Sequence, residues 1–202
     1  MLGRLSLFQQ TSHLRVCLYP FLSCRYHIYD PVHDLLYAGT ETGGIHISND
    51  LGGSWPPFLQ TDNRVPIRDI VVSKTGTVYV ATAGAGVFIS DSQGETWNNV
   101  GPIDAIFQDI DLHDSRMQIY AAGKGSVQFW DGMNWSQAGT NSNPFSSKKV
   151  TAVAVDDVSG LVFAAAPGLG IYALVNGWWK PMGAGLPVGV INTLHAEGGN
   201  VY

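Results

Sequence analysis

Two aspartates at matching places in a repeating chain are the residues best suited to chemistry. Asp69 lies within Ile67 to Val72, and Asp109 within Phe107 to Leu112. Glycoside hydrolysis needs a carboxyl pair roughly 5–10 Å apart, one proton donor and one nucleophile or base. Asp111 and the neighbours Asp156-Asp157 are further carboxylate candidates. The opposing reading makes Asp69 and Asp109 solvated strand ends or turn residues. By the same logic Asp156-Asp157, ahead of Ser159-Gly160, is an ordinary turn. The sequence leans towards no enzyme; if one, it is a glycoside hydrolase with Asp69 and Asp109 as its catalytic candidates.

Other chemistries find less support. His27, His33 and His46 are close in sequence but alternate between faces and loops, and no Cys-x-x-Cys or His-x-x-x-His spacing is present, so no metal site is expected. Gly123-Lys124-Gly125-Ser126 lacks the upstream glycine of a phosphate-binding loop, and no cofactor is expected. Asn134-Trp135-Ser136 matches a glycosylation sequon whose middle residue should be buried. Of Trp178 and Trp179, one is expected in the core. The other, Trp178, could form a stacking platform for a sugar.

The elements that must position these residues repeat. Tyr37, Tyr79, Tyr120, Phe163 and Tyr202 recur at separations of 42, 41, 43 and 39 residues. Trp55, Trp97, Trp135 and Trp179 form a second register. A period near 40 holding several short strands marks a propeller blade. The expected fold is all-β: a β-propeller of four-stranded blades, about four complete and a fifth half present. The boundaries are 26–62, 63–103, 104–146 and 147–189, with the half blade at 190–202 and residues 1–25 outside the repeats. Within a blade, apolar runs of four to six residues alternate with Gly, Asp and Ser clusters. The last strand signal is Val190 to Leu194, before a turn at Gly198-Gly199. Ending within a blade, the chain reads as part of a larger propeller or an open arc, able to self-associate through bare blade edges.

Composition agrees. Only 13% of the 202 residues are charged, and 24 are glycine. A net charge of −5 gives no support for nucleic acid as a partner. No apolar run approaches the ~20 residues of a membrane helix. Residues 1–25 allow three readings: a cleaved signal, an edge strand at Leu14 to Leu22, or a frayed, disordered start. Cys17 and Cys24 lie at its end, and a bridge between them would close only a short loop.

One box recurs most clearly. Ser48-Asn49-Asp50-Leu51-Gly52-Gly53-Ser54-Trp55 reads S-x-D-x-G-x-x-W, and Ser90, Ser92, Gly94 and Trp97 repeat it with serine in place of aspartate. Asp131, Gly132 and Trp135 keep a shortened form, and in the fourth repeat little survives beyond Trp179. These residues are read as structural: a carboxylate closing its own turn, a glycine free to take positive φ, and a ring packed between sheets. In the second box Ser92 must bond differently from Asp50.

Together with Tyr37-Ala38-Gly39-Thr40 and Gly43-Gly44, the first box resembles the Asp-box, or bacterial neuraminidase, repeat. The resemblance covers residues 26 to 202. Its family holds sialidases, xyloglucanase-type hydrolases, sortilin-type receptors and photosystem II assembly factors. It implies a propeller and favours an extracellular or periplasmic setting, but no single activity. The Phe-Arg-Ile-Pro motif of sialidases is absent before the first box, and Arg64, Arg68 and Arg116 would converge on a triad only by accident of folding. The expected function is a binding or scaffold module for a protein or carbohydrate, met by loops such as Glu41-Thr42 and Asn141 to Lys149. A hydrolase fragment and a periplasmic sensor propeller are the alternatives, the latter from Gly185-Leu186-Pro187.

Overall fold

The computed structural model describes residues 24–60, 65–102, 104–183 and 189–202, with the backbone alone at 24, 25 and 57–60. Readings that fall on Cys17, Leu14 to Leu22, Arg64 and Gly185-Leu186-Pro187 lie outside the described residues.

Four antiparallel sheets follow one another along the chain, each a meander of four strands. The first holds β1 (Cys24–Asp30), β2 (Leu35–Thr40), β3 (Gly44–Ser48) and β4 (Pro57–Gln60). The second holds β5 (Ile67–Val72), β6 (Val78–Thr82), β7 (Val87–Ser90) and β8 (Asn98–Gly101). The third holds β9 (Phe107–His113), β10 (Gln118–Gly123), β11 (Val127–Trp130) and β12 (Trp135–Gln137), with a 3-10 turn at Asp114–Arg116 between its first two strands. The fourth holds β13 (Ala152–Asp156), β14 (Leu161–Ala166), β15 (Gly170–Val175) and β16 (Trp178–Met182). A two-stranded sheet, β17 (Ala196–Glu197) and β18 (Asn200–Val201), closes the described chain.

The repeated aromatic sets a common register. Tyr37 pairs with Ile28, Tyr79 with Val71, Tyr120 with Asp111 and Phe163 with Ala154. Counting from these pairs, Tyr26, Asp69, Asp109 and Ala152 are equivalent. So are Asp30, Ser73, His113 and Asp156, the buried polar residues that end or directly follow each first strand.

Apolar faces stack sheet on sheet in chain order. Tyr37, Ile45 and Ile47 pack against Ile67, Ile70, Val78 and Val80 of the next sheet. Tyr79 and Val87 meet Phe107, Ile110 and Ile119. Tyr120 and Val127 meet Val153, Val162 and Trp179, and Phe163 with Ile171 meets Leu194 and Ala196. First strands are successive neighbours: β1 with β5, β5 with β9, β9 with β13, β13 with β17. Each sheet therefore turns one edge to a shared axis, and the second, third and fourth sheets pack on both faces. Turns after the first and third strands gather at one end; hairpins after the second strand and sheet-to-sheet connections gather at the other.

The half blade differs from expectation. Val190 to Leu194 was the predicted strand, yet pairing starts beside it, where His195 and Tyr202 exchange backbone bonds of 3.1 and 2.8 Å. The Ile191 carbonyl is instead taken by the Thr151 hydroxyl of the fourth sheet. Leu194 is buried there without a ladder partner. Its apolar character answers to packing rather than pairing.

Candidate functional site

A first strand at the axis carries N–H groups that its own sheet does not use, and an unpaired buried N–H is costly. Aspartates from the preceding blade accept them. Asp69 on β5 takes the Ile110 N–H of β9 at 3.0 Å. Asp109, its equivalent on β9, takes the Val153 N–H of β13 at 2.9 Å. Two residues on, Asp111 takes the Val155 N–H at 2.8 Å. Ile110 and Val153 occupy the same register position, so the first two contacts are one clamp made twice.

The clamps bring the two catalytic candidates together. Asp69 is buried, Asp109 half-buried, and their carboxyls share a hydrogen bond. Burial, and then the charge of Asp69, hold the Asp109 carboxyl well above the usual carboxylate range. Burial also pushes Asp111 up to about 7, against the lowering pull of the Val155 and Leu112 N–H groups. Carboxyls in hydrogen-bond contact leave no room for a glycosidic bond or water between them, unlike the spacing glycosidases need.

The four boxes sit at the opposite edge of the sheets. In the first, Ser48 accepts the Gly52 N–H at 2.8 Å and donates to Asp50 at 2.7 Å, and Asp50 accepts the Ser54 N–H at 2.9 Å. The Ser48 hydroxyl, then the Ser54 N–H, holds Asp50 at about 2. The Trp55 indole donates to Gly52 O at 3.1 Å. In the second, Ser90 accepts the Gly94 N–H at 2.8 Å, and the Trp97 indole donates to Gly94 O at 2.9 Å. Here the Ser92 hydroxyl accepts the Thr96 N–H at 2.8 Å, the same turn closed by a neutral oxygen. Gly52 and Gly94 have φ of +89° and +92°, where a side chain would be strained. A Cβ on Gly94 would also overlap Ile47 of the first sheet.

The third and fourth boxes use their tryptophans differently. Asp131 accepts the Asn134 and Met133 N–H groups at 2.7 and 2.9 Å, which lower its carboxyl, while Gly132 carries the turn at φ +98°. The Trp135 indole reaches back to Val100 O at 2.8 Å and Trp179 to Ala138 O at 3.1 Å, each onto the preceding blade. Trp179 is 5% exposed and Trp178 51%. The core place thus falls to Trp179, and the open ring is that of Trp178.

A polar network without any sequence signal ties three blades at the box end. Lys74 of the second meets Asp157 of the fourth at 2.6 Å and Asp114 of the third at 3.8 Å. Asp157 Oδ1 also takes the Ser115 N–H at 2.8 Å and lies 2.9 Å from His113 Nδ1. Burial works to raise Asp157, but Lys74, Ser115 and His113 outweigh it and hold the carboxyl far below its usual range. Asp156 bonds Ser159 and reaches the Gly199 N–H of the half blade. These aspartates tie turns between blades.

The neighbouring histidines are dispersed: His33 Nδ1 lies 2.7 Å from Asp30, and His46 Nδ1 3.3 Å from Trp55 O. Among the described residues no group of three His, Cys, Asp or Glu is placed to hold a metal ion. No helix of the described residues is long and apolar enough to cross a membrane.

No family model matches the sequence, and no curated protein does. Solved structures match in shape. The extracellular domain of a candidate hybrid two-component system from B. thetaiotaomicron is 16% identical, with a TM-score of 0.70 over 89% of this chain and 25% of that one. The GH74 xyloglucanase from Xanthomonas campestris is 18% identical, with a TM-score of 0.65 over 78% of this chain and 29% of that one. YCF48 bound to D1 peptide is 13% identical, with a TM-score of 0.60 over 83% of this chain and 55% of that one. The chain thus spans about a quarter to a half of the length of these proteins. At such identities the likeness is one of fold: the chain is all-β and built as β-propeller blades of four antiparallel strands.

Proposed function

We propose that the chain is a non-catalytic propeller module of the Asp-box kind that binds a protein or carbohydrate ligand outside the cytoplasm. The observation that carries this reading is the engagement of Asp69 and Asp109. Each holds the backbone of the next blade, and the two carboxyls bond one another, so neither is left to act on a substrate. The box residues Ser48, Asp50, Ser90, Ser92 and Asp131 are likewise spent within their own turns. Trp178 supplies the exposed ring on which a sugar would stack. The sensor alternative, from Gly185-Leu186-Pro187, and the hydrolase alternative, from the repeat resemblance, gain from the similar structures only a shared fold.

The test is turnover. The chain is incubated with xyloglucan oligosaccharides and with sialyllactose, beside Asp109→Asn. We expect no release of sugar above buffer from either protein. Release by the natural chain that Asp109→Asn abolishes would overturn the reading in favour of the hydrolase.

A further inference from the structure

The hairpin between β10 and β11 lies on the long connection from β12 to β13. The Gly125 N–H donates to Lys148 O at 2.7 Å, and the Val150 N–H to Gly123 O at 3.0 Å. Those bonds belong to the residues flanking Lys124 and Lys149, which face each other in an isolated antiparallel bridge. Such a non-hydrogen-bonded pair has the closer of the two cross-strand spacings, with both side chains on one face. Like charges placed there repel. Lys148 adjoins them, and all three are exposed. Lys74 satisfies its charge on Asp157 and Asp114. Among the described residues, none of these three lysines has a carboxylate in ion-pair reach.

Packing does not require this arrangement, because the connection is anchored independently. Phe145 is fully buried against Tyr172 and Trp179, and the Asn143 amide donates to Gly125 O at 2.9 Å. Three positive charges are thus held on a rigid base at the connection end. Asp34, Asp50, Asp114, Asp131 and Asp157 all belong to turns at the box end. A long polyanion would be opposed by the net charge of −5. A short ligand that covers only the lysines would not.

We propose that Lys124, Lys148 and Lys149 dock a short acidic segment of a partner protein, its carboxylates taking the place of the counter-charges the fold does not supply. The inference deepens the reading of the chain as a binding module and rests on it.

The probe is fluorescein-labelled hexaglutamate, titrated with the full chain and followed by fluorescence anisotropy at low and high salt. The account expects saturable binding that weakens as salt screens it. The triple variant Lys124→Ala, Lys148→Ala, Lys149→Ala should bind about tenfold more weakly. The triple arginine variant keeps the charges and should bind as the natural chain does, which separates loss of charge from loss of fold. Lys180→Ala should change nothing. Absence of saturable binding at low salt, or equal binding by the natural and triple-alanine chains, overturns the proposal. So does binding of a heparin oligosaccharide without binding of hexaglutamate. Failure of the module reading would show instead as turnover of glycosides, an independent readout.

Discussion

Raising the pH from about 4 to about 7 should destabilise this chain, where most proteins gain or hold stability. Asp111 titrates near 7 in the folded protein because burial penalises its charge. In the unfolded chain an aspartate titrates near 3.9. Between those values the folded state holds a proton that the unfolded state has lost, so unfolding becomes easier as pH rises through the window. Three pH units at ~1.4 kcal/mol each give about 4 kcal/mol as an upper bound, reduced by the water that a half-buried Asp111 still meets. Asp109, raised for the same reason and by Asp69, acts in the same direction.

The opposing groups work in a different window. Asp50, Asp131, Asp156 and Asp157 are all lowered by hydrogen bonds or by Lys74. Their contribution is present above about 4 and is lost as pH falls below it. Urea midpoints measured against pH should therefore peak between about 4 and 5. Asp111 accepts the Leu112 N–H on Oδ1 and the Val155 N–H on Oδ2, so Asp111→Asn removes the titration but keeps an oxygen for only one of them. Its curve should flatten on the neutral side, at a level set lower by the one N–H that loses its acceptor. A natural-chain midpoint that climbs steadily from pH 4 to 7 would contradict the expected burial of Asp111.

Adjacent tryptophans should differ by several kcal/mol. The Trp179 ring meets Phe145 edge-on at 5.2 Å and closes the packing between the third and fourth blades. Its indole N–H is bonded to Ala138 O, and a Cβ on Gly139 would overlap it. Trp179→Ala should cost about 3–5 kcal/mol, the usual range for a buried tryptophan, with part of the loss from the cavity left behind. Trp178 begins the same strand with its ring half in solvent, and Trp178→Ala should stay within about 0.5 kcal/mol. Urea unfolding of the two variants side by side checks this. Equal losses would mean that the pleat of β16 is assigned to the wrong face.

How much of this could be read from the chain depended on whether the cause was local. A buried aromatic in every second strand leaves a spacing, so Tyr37, Tyr79, Tyr120 and Phe163 announced the blades and their register. The first two boxes were legible because each closes on itself within eight residues, and even Ser92 could be picked out as a departure. That one of Trp178 and Trp179 is buried and the other open could be expected of neighbours on a pleated strand. The meeting of Asp69 and Asp109 did not, although their equivalence was plain, because contact depends on how closely first strands converge at the axis. The link from Lys74 to Asp157 spans 83 residues and leaves no local pattern. The strand expected at Val190 to Leu194 failed for a related reason: an apolar run reports burial, and Leu194 is buried without a ladder partner.

The claim on which the account turns is that the axis aspartates hold blades together as buried, bonded groups. Carbon-13 NMR of the side-chain carboxyl carbons, followed from pH 3 to 9, tests it most directly. The account predicts that Asp111 titrates near 7 and Asp109 well above the usual carboxylate range, with the Val153 and Val155 amide protons shifting along with them. Titration of both carboxyls near 4, with those amides unmoved, would mean open carboxylates at the axis and would contradict it.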